Sequence, residues 1–292
     1  MRKTIDILGV NVDAVTMPMA LTRIVELAED GQSHAIVTPN PEFVMQAQTD
    51  ADFRNVINQA DLALPDGVGI LWAAKYLSLP LPKNKILAYI KAHIDWVYTG
   101  LRIIWQPKYI DSIIPERITG ADMVWEISKM AEERGWSIFL LGAADGVAKE
   151  TAKNLQWLYP NLKIAGVSAG PPYESEELVI QQIKTSQPKF VFLAFSAKEQ
   201  IRWIKTYKEY LQGVIFIGVG GALDFIAGGV ALNAPGNNQQ PAKRSPEWLQ
   251  NHGLEWIWRL FTQPWRITRI KTAVFGFSLM IVKYKLKHTR LA

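Results

Sequence analysis

The chain contains no cysteine. That excludes disulfides, thiolate metal centres and a cysteine nucleophile, and it fits a reducing compartment. Histidine is scarce: His34, His93, His252 and His288 are scattered without ligand spacing, so no zinc site is expected. No G-x-S-x-G elbow occurs, which argues against an α/β-hydrolase triad. "GAADG" (142–146) lacks the Gly-Lys-Ser/Thr ending of a P-loop. "GVGGAL" (218–223) misses a dinucleotide fingerprint because Leu223 stands where a small residue is required. Low-complexity tracts and internal repeats are also absent. No uncharged apolar run reaches roughly 18 residues, and the best candidate, "TAVFGFSLMIV" (272–282), is too short to span a bilayer. "MRKTIDILGV" has no long apolar region or cleavage site and reads as a first strand, not a signal peptide.

The last absence is acid near the C-terminus. After Glu255 there is none, while Arg259, Arg266, Arg269, Lys271, Lys283, Lys285, Lys287 and Arg290 supply eight positive charges. The formal net charge is +5, so residues 1–255 sum to 5 − 8 = −3. A mildly acidic body with a basic, aromatic tail points to a partner for the tail alone, an anionic surface but not nucleic acid.

What is present is an apolar content of 49% in 292 residues, enough for one large core or two small ones. "TIDILGVNVDAV" alternates and predicts a strand pair or one long strand. "PMALTRIVELAED" has helical spacing and stops at Gly31. "HAIVTPN" and "DLALPDG" are short strands running into loops. Two short helices separate them, and a helix over 68–77 follows. From Thr119 helix and strand alternate: strands are expected at "SIFLLG", "KIAGVS", "KFVFLAF" and "VIFIGVGG", each preceded by an amphipathic helix. Apolar strands alternating with helices predict a parallel sheet buried on both faces, in a Rossmann-like α/β fold with flanking helices and a basic helical C-terminal appendage.

Such sheets bind ligands beyond the carboxyl ends of their strands. The expected strand ends carry Thr38-Pro39-Asn40, Pro65-Asp66-Gly67, Gly142 to Gly146 with Asp145, Gly170-Pro171-Pro172, and Gly218 to Asp224 with Gly220 and Gly221. Asp66 follows an apolar run directly, so it is either a helix cap or a chemical group aimed into a cleft. Asp50 and Asp52 in "TDADF" have the D-x-D spacing of a divalent-ion site. The pair lies between helices and not at a strand end, so the reading preferred here is that Asp52 caps a helix starting at Phe53.

Taken together and in order, "TPNPEFVMQA", "LPDGVGI", "PERITGADM", "FLLGAADGVA", "GPP", "GVGGALDFIAG", "RSPEWLQNHGLEWIWRL" and "QPWRITR" resemble the WecG/TagA/CpsF glycosyltransferases, over about residues 4–82 and 116–270. The resemblance implies an inverting, metal-independent and cofactor-free transfer of N-acetylmannosamine, or its uronic acid, from a UDP donor. The implied acceptor is undecaprenyl-diphosphate-linked N-acetylglucosamine, at the cytoplasmic face of the membrane, in cell-surface polysaccharide or teichoic acid synthesis. It implies Asp66 as general base, with Thr38 and Asn40 beside the sugar. Arg117 matches the arginine of the E-R-V-T-G motif, and Arg259, Arg266 and Arg269 match those of a C-terminal segment that closes over the site. The glycines and acids of the other strand ends, Gly142, Asp145, Gly170, Gly220, Gly221 and Asp224, are the expected UDP-binding set.

The chain departs from the pattern in three places. "FSAKEQ" (195–200) replaces the family's G-x-P-K-Q-E. Segment 84–115 is an aromatic insertion, and 228–243 is a Gly/Pro/Asn-rich loop. These bounds divide the chain into a catalytic body, 1–253, and a membrane-associating appendage, 254–292. The insertion reads either as a second interfacial contact or as a helical hairpin packed on the body or a second subunit. A homo-oligomer is compatible with either. The alternative function is a catalytically weakened relative that binds membrane or lipid-linked saccharide as an assembly factor.

Overall fold

The computed structural model describes residues 3–230, 245–246, 248–249, 252, 254–262, 267 and 271–288; at 229, 230, 255, 256 and 259 it describes the backbone alone. The chain opens with an antiparallel hairpin, β1 (Thr4–Ile7) and β2 (Val10–Asp13), so the first segment is a strand pair. Leu8 and Gly9 turn it with φ of 57° and 83°, a primed turn matched to strand twist.

The main sheet has six strands: β3 (His34–Val37), β4 (Leu62–Ala63), β5 (Ser137–Gly142), β6 (Lys163–Ser168), β7 (Phe190–Ala194) and β8 (Ile215–Gly218). Their spatial order is β4-β3-β8-β7-β5-β6, every pairing parallel. Side chains alternate across it. Val37, Phe139, Leu141, Val191, Leu193 and Phe216 enter one core, and Ile36, Ile138, Leu140, Phe192, Ile215 and Ile217 enter the other. A sheet buried on both faces can carry apolar residues at every position, which is why these strands read as continuous apolar runs.

One helical layer holds α1 (Met17–Glu29), α6 (Gly120–Arg134), α7 (Val147–Leu158) and α10 (Ala222–Val230). The other holds α2 (Pro41–Ala47), α3 (Ala51–Asn58), α4 (Val68–Ser78), α8 (Glu176–Ser186) and α9 (Ala197–Tyr207). The insertion forms α5 (Lys85–Trp105) and a short 3-10 helix, Pro107–Ser112. In the tail, α11 (Glu255–Thr262) is followed by a π turn, Thr272–Gly276, and α12 (Phe277–His288).

The described end of the tail packs on the body. Phe277 is 1% exposed, with its ring 6.5 Å from that of Trp72 in edge contact. Burying one such ring is worth about 1.5–3 kcal/mol. Ile281 and Val282 join the same core. Lys285 is buried too, and its Nζ donates to the carbonyl of Tyr76 near the C-terminus of α4, where the helix dipole favours a cation.

One capping expectation is corrected. Asp50, not Asp52, caps α3, its Oδ1 accepting from the Phe53 amide at 2.9 Å. Asp52 lies within the first turn and pairs with Lys205 at 2.9 Å on the surface. The helix begins two residues before Phe53, at Ala51, and that shift transfers the cap to the earlier aspartate. Of the loop 228–243, residues 231–243 lie outside the described residues.

Candidate active site

Four loops meet at the carboxyl end of β3, β4 and β8. Leu64 donates its amide to Val37 O at 2.8 Å, and Asp66 donates its own to Pro39 O at 3.1 Å, so the P-D-G loop is tied to the T-P-N loop. The amide of Ile118 donates to Pro65 O at 2.9 Å, bringing Arg117 beside the same loop. Gly120, the first residue of α6, lies so close to β8 that a Cβ there would stand 2.6 Å from Val219 O. Finally, Thr38 Oγ1 donates to Gly218 O at 2.9 Å, closing the ring between β3 and β8.

Each expected residue can now be placed. Thr38 is 4% exposed and its hydroxyl is used in the β3–β8 tie. Asn40 caps α2, its Oδ1 accepting from the amides of Glu42 and Phe43 at 3.0 and 3.1 Å. Asp66 is half-buried and is not the α4 cap: Gly67 holds that position, with φ of 93°. Gly220, with φ of 55°, and Gly221 turn the chain from β8 into α10, whose first turn carries Asp224.

A second crevice lies between β5 and β7. From these adjacent strands the chain leaves in opposite directions, β5 toward β6 and β7 toward β8, which makes a topological switch point. Gly142 has φ of 106°, and a Cβ there would be 2.8 Å from Ala194 O. Gly146 caps α7 with φ of 81° and open space around it. Asp145 between them is exposed. Gly170, with φ of 66°, borders the crevice from β6. A narrow loop of bare backbone opening onto a helix N-terminus suits an anionic group approaching the amides.

"FSAKEQ" lies between the two crevices and contributes residues that sequence reasoning treated only as a departure. Phe195 fills the space left open by Gly142 and Gly170; a Cβ on either would lie within about 3 Å of its ring. Gln200 is 2% exposed, and its Nε2 donates to Phe195 O at 2.7 Å. Its Oε1 would be 2.2 Å from a Cβ at Gly218, so the amide occupies the room that glycine leaves. The only signal available beforehand was the pairing of these glycines with one aromatic and one amide.

Arg266 and Arg269 lie outside the described residues, and of Arg259 only the helical backbone is described. Among the described residues no group of three or more histidines and carboxylates gathers where a metal ion could sit, and no helix is long and apolar enough to cross a membrane.

A sequence profile of the glycosyl transferase WecG/TagA/CpsF family matches the chain in two overlapping stretches, residues 5–90 and 88–291. The chain belongs to the WecG/TagA/CpsF family. Among similar proteins, an N-acetylglucosaminyldiphosphoundecaprenol N-acetyl-beta-D-mannosaminyltransferase of Bacillus subtilis is 30% identical over 248 residues, 85% of this chain and 78% of the relative. A protein of the same name from Staphylococcus aureus is 28% identical over 289 residues, 98% of this chain and 96% of the relative. The WecG/TagA/CpsF match includes every strand of the sheet and the loops that carry both crevices, and its break falls inside α5.

Proposed function

We propose that this chain transfers N-acetylmannosamine, or a related N-acetylhexosamine or its uronic acid, from a UDP-sugar to N-acetylglucosamine on undecaprenyl diphosphate, with inversion and without a metal. The observation that carries the reading is the closure of the P-D-G, T-P-N, R-I-T-G and G-V-G-G loops around Asp66, in a chain whose relatives bear that transferase name. In this reading UDP occupies the β5–β7 crevice, against Gly142, Asp145 and Gly170, and the sugar reaches toward Asp66. Three strand spacings separate β5 from β3, about 14 Å, a length that an extended UDP-sugar can cover.

Asp66 takes the proton of the acceptor hydroxyl as that oxygen attacks the anomeric carbon. The bond between that carbon and the β-phosphate oxygen breaks, and UDP leaves with the electron pair. The developing charge is met by guanidinium groups, Arg117 and the tail arginines Arg259, Arg266 and Arg269, which can hold phosphate oxygens in bidentate pairs. Gly220, Gly221 and Asp224 turn the backbone beside the sugar, and Thr38 and Asn40 act by holding the loops that shape it. The acceptor's polyprenyl chain stays in the membrane, so the enzyme works at an anionic membrane surface, peripheral on its inner face.

The test is incubation with candidate UDP-sugars and a short-chain lipid-diphosphate-N-acetylglucosamine analogue, with the product read by mass. A disaccharide one N-acetylhexosamine heavier is expected. No new product with any UDP-sugar would overturn the reading.

A further inference from the structure

Helix α5 is oriented against the usual rule. Its buried residues are Ala88, Ala92, Asp95 and Thr99, small or polar. Its exposed stripe is Ile86, Ile90, Ile94, Val97, Leu101 and Ile104, between 36% and 71% exposed. These recur at helical spacing on the side opposite the buried set. Amphipathic helices of globular proteins point such a stripe at the core.

Specific bonds hold the helix this way round. Trp72 Nε1 donates to Thr99 Oγ1 at 2.9 Å, and Tyr76 OH donates to Ala92 O at 3.0 Å. Lys91 pairs with Asp95 at 2.7 Å on the same inner side. Rolling the aliphatic stripe inward would break the two bonds to α4 and leave the Trp72 and Tyr76 donors unmatched in a buried site. The inner side, which also lays Trp96 and Ile103 against the core, is therefore committed to α4 and α12, and the aliphatic stripe faces out.

We propose that this outward face of α5 seats the protein in the headgroup region of an anionic bilayer, lying flat along its length of about 30 Å. The charge of its surroundings selects that occupant. Besides the buried Lys285, helices α4, α5 and α12 carry six cations, Lys75, Lys85, Lys91, Arg102, Lys283 and Lys287, and a single acid, Asp95, which is buried and paired with Lys91. A two-fold dimer through this face would set the cationic rim against itself with no exposed carboxylate of these helices to answer it. An anionic lipid surface complements the same rim. Tyr89, Tyr98 and Trp105 stand at 59%, 46% and 73% exposure along the helix, the ring types that favour the membrane–water boundary. From the C-terminal end of α5 the chain runs through the 3-10 helix to Arg117 beside the Asp66 loop, so a seated α5 puts that loop near the membrane surface. The inference rests on the lipid-linked acceptor proposed above for its purpose, but not for its test.

The test uses the full chain without substrates, so a failed transferase reading leaves it intact. Flotation with vesicles of phosphatidylglycerol and phosphatidylcholine is compared between the native chain and the triple variant Ile90→Ser, Ile94→Ser, Leu101→Ser, whose changed residues are all exposed. Binding of the variant should fall by about tenfold, and binding of the native chain to phosphatidylcholine alone should be weaker by a similar factor. Because the chain has no cysteine, Ile94→Cys can carry an environment-sensitive fluorophore, with Trp157→Cys on α7 as the control. Vesicles should blue-shift the label at 94 and leave the one at 157 unchanged. A triple variant that floats as well as the native chain would overturn the proposal, as would an unshifted label at 94 on bound protein. A native dimer that the triple variant dissociates, with vesicle binding unchanged, would assign the face to a second copy instead.

Discussion

The amide of Ile118 donates to the carbonyl of Pro65, 2.9 Å away, across 53 positions of sequence that include the whole α5 insertion. This bond joins the loop of Arg117 to the loop of Asp66. The insertion therefore leaves and returns without displacing either, because both ends are fixed to the sheet edge.

Asp66→Asn keeps the shape of the side chain and removes its basicity. Turnover is expected to fall by about 10²–10⁴-fold with UDP affinity little changed. Near-normal turnover of the folded variant, measured by UDP release with acceptor present, would remove Asp66 from the role of base.

Gly142 and Gly146 both have positive φ but differ in what surrounds them. Gly142→Ala drives a Cβ against the Ala194 carbonyl, which already accepts from the Ala143 amide at 2.9 Å. A loss of about 2–4 kcal/mol in urea unfolding is expected, with weakened UDP binding. Gly146→Ala meets nothing within 4 Å, so only left-handed strain of about 1 kcal/mol should appear. Equal losses would show that strain alone governs both sites.

The two aspartates of the D-x-D pair should separate cleanly. Asp50→Ala removes a helix cap and should cost about 1 kcal/mol. Asp52→Ala breaks one exposed ion pair and should change stability by less than about 0.5 kcal/mol. Neither variant, nor excess chelator, should change the transfer rate. A rate abolished by chelator and restored by manganese or magnesium would return both residues to a metal site.

Burial holds the Lys285 ammonium down at about 8, against 10.5 for the free side chain. Between those values the unfolded chain binds the extra proton, so this group's contribution to stability rises with pH across that window. Below it, the folded state keeps a charged amine in a poorly solvated site. Lys285→Met should therefore gain most, relative to the native chain, near about pH 7, and the gain should shrink by about pH 9.5. Urea unfolding at both values measures the difference; a constant difference would mean that Lys285 does not titrate in this window.

Much of the fold was legible in the sequence because its signals are local. Apolar strand runs bounded by glycine, and helices with 3.6-residue spacing, announce a parallel sheet wherever they alternate. The residues at strand ends follow from that, since parallel strands all finish on one edge. Resemblance of motifs added roles that spacing could not supply. Tertiary structure decided the rest. Which aspartate caps α3 turned on where the helix begins, and helix boundaries are set by packing as much as by propensity. That Thr38 ties β3 to β8, and that Gln200 fills the space at Gly218, required strand order, which no local pattern encodes. The orientation of α5 is the clearest case. Its sequence has one aliphatic stripe and an opposite side where small and polar residues mix with Trp96 and Ile103, and that pattern is the same whichever side meets the body. Only the partners that α4 offers, the indole of Trp72 and the hydroxyl of Tyr76, fix that side inward, because hydrogen bonds left unmade in a buried site cost more than aliphatic side chains left in contact with solvent or lipid.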